Sequence, residues 1–245
     1  RISLTEAGKL LLEHCERILE DYKRLEYEMH LLHNEYTGGL KLGASTTVAQ
    51  YVLPPLLASF IGKFPHVNLS LLNGNSREIE AALQEHRIDL GFVEGVFRLP
   101  NIKYTTFLKD ELVAVVRTGS KLAIGEEITP EELLHLPLVL RERGSGTLDV
   151  FERALQQHNI KLSSLQVLMY LGSTESIKLF LEHTDCLGIV SIRSITRELY
   201  SGQLRVVEIK DMPMLRDFSF AQPQGQESGL AQVFMQFAMH YNNKL

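Results

Sequence analysis

From Gly39 to the C-terminus, short apolar segments alternate with segments that have helical periodicity. Parallel strands need a long crossover connection, and that connection is usually a helix. The alternation therefore predicts an α/β fold with a largely parallel sheet. Strands are predicted at 40–44, 67–72, 90–94, 102–107, 112–117, 138–141, 167–170, 188–191, 204–209 and 218–222, and helices at 55–63, 76–86, 147–159, 173–183, 194–201 and 228–243. Strands 102–107 and 112–117 follow each other without a helix, which indicates a crossing between two subdomains.

The segment before Gly39 has a different pattern. Apolar residues recur every three or four positions from Leu4 to Tyr36, with an average step near 3.5 from Cys15 onward. This spacing predicts a long helix with a narrow apolar stripe that packs on another helix. The alternative is an amphipathic helix lying on its own domain. The stripe residues predicted to mediate dimerisation are Leu11, Ile18, Tyr22, Leu25, Met29 and Leu32.

The ends of this helix also carry signals. Ser3 and Glu6 have capping-box spacing, and Thr5 is an alternative N-cap. Thr37, Gly38 and Gly39 predict the C-terminal end of the helix.

Composition excludes several classes of protein. With 25 Lys and Arg against 30 Asp and Glu, the net charge is -5, which is the wrong balance for binding nucleic acid through this chain's own surface. Cys15 and Cys186 have no CxxC spacing, so neither a disulfide framework nor a zinc site is indicated. The sequence has no membrane-spanning segment and no signal-peptide pattern, which predicts a soluble, cytoplasmic protein without membrane partners.

Polar residues at two predicted strand ends are candidates for anion binding. Ser45, Thr46 and Thr47 follow the first strand, and Ser173 and Thr174 precede a later helix. Free N–H groups at a helix N-terminus favour a negative charge, and short hydroxyl side chains add donors. The alternative is ordinary N-capping.

A third strand end combines cations with a glycine-rich loop. Residues 141–147 read RERGSGT, and such a loop forms a nest of backbone N–H groups that holds an anion. The alternative is a solvated turn in which Arg141 and Arg143 pair with nearby acids.

Glu94, at the end of another predicted strand, is a candidate general base or ligand partner.

Motifs of enzymes and cofactor binders are absent. The sequence lacks HExxH, GxSxG, GxxxxGK[ST] and GxGxxG, and no catalytic triad is evident. His30 and His33 stand one helical turn apart, but a solvated or interfacial position on their charged helix is the favoured interpretation. No catalytic residue, metal or cofactor is therefore predicted.

Several motifs together resemble one family. Residues 1–8 (RISLTEAG) resemble the junction between the wing and the linker helix of LysR-type transcriptional regulators. The strand at 39–45 and the motifs VLPPLL at 52–57, FP at 64–65, RIDLG at 87–91 and CLGIV at 186–190 follow in the family's order. The resemblance covers the whole chain. Cys186 stands where the family more often has glycine, and the family's winged helix-turn-helix would lie upstream of Arg1, which suggests a part of a longer protein.

The resemblance implies a domain organisation. Residues 1–4 would end the wing, residues 5–38 would form the linker and dimerisation helix, and residues 39–245 would form an effector-binding domain similar to type 2 periplasmic binding proteins. Its subdomain I would comprise about 39–110 and 211–245, and its subdomain II about 111–210.

The resemblance also implies a bacterial regulator that forms homodimers or homotetramers and binds DNA through the upstream head. A small, anionic effector would bind between the subdomains. The RExGSGT pattern is most similar to the branch that includes regulators of sulfur assimilation. A solute-binding protein and a small-molecule enzyme on the same scaffold are the alternatives. The effector-binding residues implied are Ser45, Thr46, Thr47, Glu94, Arg141, Ser145, Thr147, Ser173 and Thr174.

Overall fold

The computed structural model describes residues 4–33, 36–95, 98–122, 125–225 and 229–242. The helices are α1 (Glu6–His33), α2 (Thr46–Tyr51), α3 (Leu53–Lys63), α4 (Ser76–Gln84), α5 (Gly146–Gln157), α6 (Thr174–His183), α7 (Thr196–Tyr200) and α8 (Leu230–Asn242). The strands are β1 (Gly38–Ser45), β2 (Val67–Gly74), β3 (Leu90–Glu94), β4 (Ile102–Arg117), β5 (Glu127–Ile128), β6 (Pro137–Arg141), β7 (Gln166–Leu171), β8 (Leu187–Ser191), β9 (Leu204–Ile209) and β10 (Met214–Pro223). The predicted α/β class is confirmed.

The strands form a mixed sheet with the order β2-β1-β3-β10-β4-β8-β6-β7, and β9 pairs with β4 and β5. Pairing is parallel among β1, β2 and β3 and again among β6, β7 and β8. Between these groups, β10 and β4 run antiparallel to each other and to their neighbours. The prediction of a largely parallel sheet is therefore right for each group and wrong for the strands that join them.

The prediction of two strands at 102–107 and 112–117 is wrong, because β4 is one strand of 16 residues. The polar residues Lys109, Asp110 and Glu111 lie between the two predicted strands, but they remain paired with β10, and Arg216 of β10 lies opposite Asp110. A buried ion pair between Arg216 and Asp110 explains why the strand continues through a charged segment.

Two sets of hydrophobic core residues lie at opposite ends of β4 and β10. One set packs β1, β3, α2, α3 and α8 around Phe60, Phe92 and Phe234, and α4 closes the other face of the same strands. We call this half lobe I. The other set packs β6, β8 and α5 around Phe151, with α6 on the opposite face. We call this half, which also contains β5, β7, β9 and α7, lobe II. The only two strands that contribute to both lobes among the described residues are β4 and β10.

Helix α1 exposes its apolar stripe. The hydroxyl of Thr5 accepts a hydrogen bond from the Gly8 N–H at 3.1 Å, so the alternative N-cap predicted from the sequence is confirmed. Exposure of the stripe ranges from 51% at Met29 to 66% at Ile18, and Leu11, Tyr22 and Leu25 lie within this range. The alternative interpretation required the rest of the domain to cover these five residues. Their exposure shows that it does not. Ser3 and the side chain of Leu32 lie outside the described residues.

In the parts of the chain that the structure describes, no helix combines the length and the apolar character needed to cross a membrane.

Candidate functional site

The first strand end places three hydroxyl side chains where the lobes meet. The Thr46 hydroxyl donates to the Gly74 carbonyl at 3.2 Å, and the Thr47 hydroxyl donates to the Glu94 carboxylate at 3.3 Å. Ser45 is 1% exposed, and its Oγ has no hydrogen-bond partner. No side-chain hydrogen bond caps α2, so ordinary N-capping does not explain the hydroxyl of Ser45.

Arg141, at the end of β6, faces this strand end from lobe II. Its Nε and Nη2 donate to the two carboxylate oxygens of Glu142 at 2.8 Å and 3.0 Å. Its Nη2 also lies 3.3 Å from both the Thr46 hydroxyl and the Gly172 carbonyl. The third nitrogen, Nη1, is buried without a partner. The alternative of a solvated turn is thus right that Arg141 pairs with a neighbouring acid. It is wrong about the solvation of Arg141, which is 1% exposed, and right about the solvation of Arg143, which is exposed.

Glu94 and Thr147 belong to a second network, which is organised by Arg216. The Arg216 Nε lies 2.7 Å from the Asp110 carboxylate, and its Nη1 donates to the Thr147 hydroxyl at 3.0 Å. Its Nη2 lies 3.1 Å from Glu94 Oε2 as an ion pair outside hydrogen-bond geometry. The other oxygen of Asp110 accepts from Ser191 at 2.7 Å. Glu94 is therefore engaged by Thr47 and Arg216, which is unlike a free general base.

Two of the predicted site residues cap helices. The Ser145 hydroxyl accepts from the Leu148 N–H at 3.1 Å at the start of α5, and the Ser173 hydroxyl accepts from the Ser176 N–H at 3.1 Å at the start of α6. The capping alternative holds for these two hydroxyls. Thr174, the first residue of α6, is 1% exposed.

The lobes touch directly at the start of α5. A Cβ on Gly146 would overlap the carbonyl oxygen of Glu94, so only glycine allows α5 to approach the end of β3 this closely. The Arg77 N–H of lobe I also donates to the Gly144 carbonyl of lobe II at 3.3 Å. The two lobes are therefore in direct contact beside the predicted site residues of α5 and β3.

A further contact between the lobes joins α2 to α6. The Tyr51 hydroxyl donates to the Glu175 carboxylate, and Lys178 lies 2.8 Å from both Glu175 and Glu198. Burial and the bond to Glu175 raise the pKa of Tyr51 above its usual value. Burial acts to raise the pKa of Glu175, but the hydrogen bonds from Lys178 and Tyr51 hold it below its ordinary value. The ionised form of Glu175 therefore stabilises this contact.

A separate recess of about 430 Å³ lies beside this contact. Its walls are largely apolar, and they include Tyr51, Leu56, Phe107 and Tyr241 with Arg193 at one side. It is distinct from the strand ends that carry the unpartnered donors, because Ser45, Thr46 and Arg141 do not line it.

The sequence interpretation missed five residues whose side chains form the contacts between lobes I and II or within the strands that join them. They are Tyr51, Asp110, Glu175, Lys178 and Arg216. Within the described residues there is no cluster of three or more His, Cys, Asp or Glu side chains that could bind a metal ion. The side chains of His30 and His33 lie outside those residues.

Comparison with known proteins identifies the family. Residues 33–242 match the LysR substrate binding domain. The uncharacterized HTH-type transcriptional regulator YeiE of Escherichia coli (strain K12) is 33% identical over 209 residues, which are 85% of this chain and 69% of YeiE. The HTH-type transcriptional regulator CysL of Bacillus subtilis (strain 168) is 25% identical over 216 residues, with 88% and 71% coverage.

A solved structure confirms the expected fold. The regulatory domain of CcmR from Synechocystis PCC6803, in complex with 2-PG, superposes with a TM-score of 0.76 at 27% identity and covers 85% of this chain and 99% of its own. The expected type 2 periplasmic-binding-protein-like architecture is confirmed. This chain belongs to the family of LysR-type transcriptional regulators and contains their substrate-binding domain.

Proposed function

We propose that this chain is the effector-sensing and oligomerisation part of its regulator, and that it binds a small anion between lobes I and II. One observation carries the proposal. Arg141 Nη1 and Ser45 Oγ are buried donors without partners, and they flank Thr46, which Arg141 contacts. Buried polar groups are almost always hydrogen-bonded, so these two donors support a ligand that offers acceptor oxygens at this strand end.

The chemistry of the surrounding side chains supports an anion. The guanidinium group of arginine offers only donors, and a hydroxyl can donate as well as accept. The 2-PG ligand in the related CcmR structure is consistent with a small anionic effector for this chain too. Ser173 and Ser145 contribute less than the sequence predicted, because their hydroxyls cap α6 and α5.

Regulation would follow from movement of the lobes. The contacts Arg141–Thr46, Tyr51–Glu175 and Arg216–Thr147 each connect elements of both lobes or their crossing strands. A ligand that binds one relative position of the lobes better than another shifts the population toward it. In a full-length protein, this shift would change DNA binding or transcription by the winged helix-turn-helix head. A cytoplasmic location is part of the same proposal.

The exposed stripe of α1 is the proposed dimerisation surface. Five large apolar residues exposed along one helix are unfavourable in water, and a second copy of the helix would cover them. We expect an Ile18→Glu variant to sediment as a smaller species than the wild-type chain. Equal sedimentation of the two proteins would contradict the proposal.

Thermal unfolding with a panel of small anions and metabolites tests effector binding. Sulfate, sulfite, thiosulfate, 2-PG, O-acetylserine and the singly charged ion methyl sulfate form the panel, and a ligand at about 100 times its Kd stabilises the folded state by about 2.7 kcal/mol. Thr46→Ala and Ser45→Ala should abolish the shift, whereas Ser201→Ala, in an exposed turn of lobe II, should preserve it. No shift with any anion would contradict the anion site and direct attention to the apolar recess.

The alternatives make different predictions. A solute-binding protein would bind the same ligand without an effect on DNA in the full-length protein, and an enzyme would turn the ligand over. The regulator proposal expects saturable binding, no turnover, and an operator affinity or footprint that changes with the effector.

A further inference from the structure

Glu142 neutralises the arginine of the proposed anion site. Its two carboxylate oxygens accept from Arg141 Nε at 2.8 Å and Nη2 at 3.0 Å. This two-pronged geometry is the strongest form of an arginine–carboxylate pair. Arg141 therefore already has a counter-ion before any ligand binds.

The other two buried cations near the contacts between the lobes also have carboxylate partners. Arg216 lies between Glu94 and Asp110, and Lys178 lies between Glu175 and Glu198. The three buried cations thus face five carboxylates, Glu142 included. Arg193, which is more exposed, also has its Nε 3.6 Å from Asp110. No positive charge in these networks remains without a negative partner.

The donors that remain are few. Arg141 Nη1 and Ser45 Oγ are both buried and without partners. Two donors suit two oxygen atoms of a single anionic group. A ligand with one negative charge would satisfy them. A second negative charge would find no unpaired cation among Arg141, Arg216 and Lys178, and it would lie close to the Glu142 carboxylate in a poorly screened environment.

We propose that Glu142 is a specificity-determining residue, which makes this site prefer a singly charged anion over a doubly charged anion of the same shape. The inference rests on the proposed anion site and specifies the class of its ligand. It disfavours dianions such as sulfate and favours monoanions such as carboxylates or sulfonates. Glu142 acts through Arg141, because it reduces the net charge that the ligand meets while it leaves Nη1 free to donate.

Two ions of nearly equal shape and different charge provide the test. Methyl sulfate carries one negative charge, whereas methyl phosphate carries close to two at about pH 8, since the second pKa of a phosphate monoester is about 6. Affinities for both ions are measured by isothermal titration calorimetry with the wild-type chain. We expect methyl sulfate to bind at least about tenfold more tightly, a difference of about 1.4 kcal/mol.

The Glu142→Gln variant should reverse or abolish this preference, chiefly by strengthening the binding of methyl phosphate. Glutamine keeps the length of the side chain and one acceptor for Arg141. Glu142→Asp, which keeps the charge, should retain the wild-type preference. The matched control is Glu182→Gln, which removes the same charge from an exposed position of α6 and should leave the ratio of affinities unchanged.

The outcomes separate this inference from the function on which it rests. If both ions bind and Ser45→Ala weakens them, but the wild type prefers methyl phosphate, then the anion site stands and the role of Glu142 is overturned. The same holds if Glu142→Gln changes the ratio no more than Glu182→Gln does. If neither ion binds the wild type, the anion site and this inference fail together. A wild-type preference for methyl phosphate overturns the inference on its own, and Glu142→Ala, which removes the same carboxylate, takes the place of Glu142→Gln if that variant does not fold.

Discussion

Arg141 and Arg216 are both buried between the lobes, but their surroundings differ. The side chain of Arg216 is fully buried and lies against two buried carboxylates, Glu94 and Asp110, and one hydroxyl. Arg141 has one carboxylate partner, Glu142, whose side chain is 27% exposed, and one nitrogen without a partner. Arg216 is thus a structural crosslink, whereas Arg141 keeps a donor for a ligand.

This difference has a structural origin. Arg216 lies within β10, as its third residue, where the paired strand β4 supplies Asp110 and the end of β3 supplies Glu94. Arg141 lies at the end of β6, where the strand gives way to a loop and the opposite lobe begins. A charged group inside a sheet must be matched by the protein itself, while one at a strand end can be matched by a ligand.

The largest effect is expected when Arg216 is replaced. Arg216→Met would leave Glu94 and Asp110 buried without their cation, and breaking a buried ion pair in this way destabilises a protein by about 3–5 kcal/mol. The free energy of unfolding in urea measures the loss. Arg87→Met, which removes an arginine paired with Glu85 at the surface, is the control, with an expected loss of about 0–1 kcal/mol. Equal losses in the two variants would show that Arg216 is not the crosslink described above.

Replacing Arg141 should separate stability from binding. Arg141→Met leaves Glu142 without its partner, but this carboxylate is partly exposed and can be rehydrated, so we expect a stability loss of about 1–2 kcal/mol. Anion affinity should fall by ten- to a hundredfold, because a hydrogen bond from a charged group is worth about 1.5–3 kcal/mol. Urea unfolding and calorimetric titration of the same samples measure both quantities. A stability loss as large as that of Arg216→Met, with anion binding unchanged, would remove the distinction between the two arginines.

Much of the fold could be predicted from sequence, because local patterns determine it. The bounds predicted for β3 and β9 agree with the structure at both ends, since each is a short apolar segment with clear flanks. The continuity of β4 could not be predicted from its own residues. Its charged middle resembles a turn until Arg216, which is 106 residues away in the sequence, is placed opposite Asp110.

The candidate site was predictable only in part. Ser45 and Arg141 were found because each ends a strand, which is a local signal. Arg216 was missed, although a signal existed. Arg216 is two positions from each of the apolar residues Met214 and Phe218. In a strand, residues two positions apart lie on the same face, so Arg216 is expected on the buried face of β10. The pairing of Arg141 with a nearby acid was one of the two interpretations of its loop, and Glu142 is its sequence neighbour. The pairing of Arg216 with Asp110 could not be predicted, because 106 residues separate them in the sequence.

Lys178, the third buried cation, allows a smaller test through pH. The pKa of its partner Glu175 is held below the ordinary value of 4.5 in the folded state, so ionised Glu175 contributes stability that is present above this pH and is lost as the pH falls through the folded-state pKa. Glu175→Gln should therefore be less stable than the wild type at neutral pH, by less than about 1 kcal/mol because the Glu175 side chain is 47% exposed. The difference should shrink as the pH falls below the ordinary value. Urea midpoints at a series of pH values measure it, with Glu182→Gln as the matched control. A difference that grows toward acid pH would mean that the carboxylate opposes this contact, and the two lobes would then be held at this point by Tyr51 and Lys178 without help from the charge of Glu175.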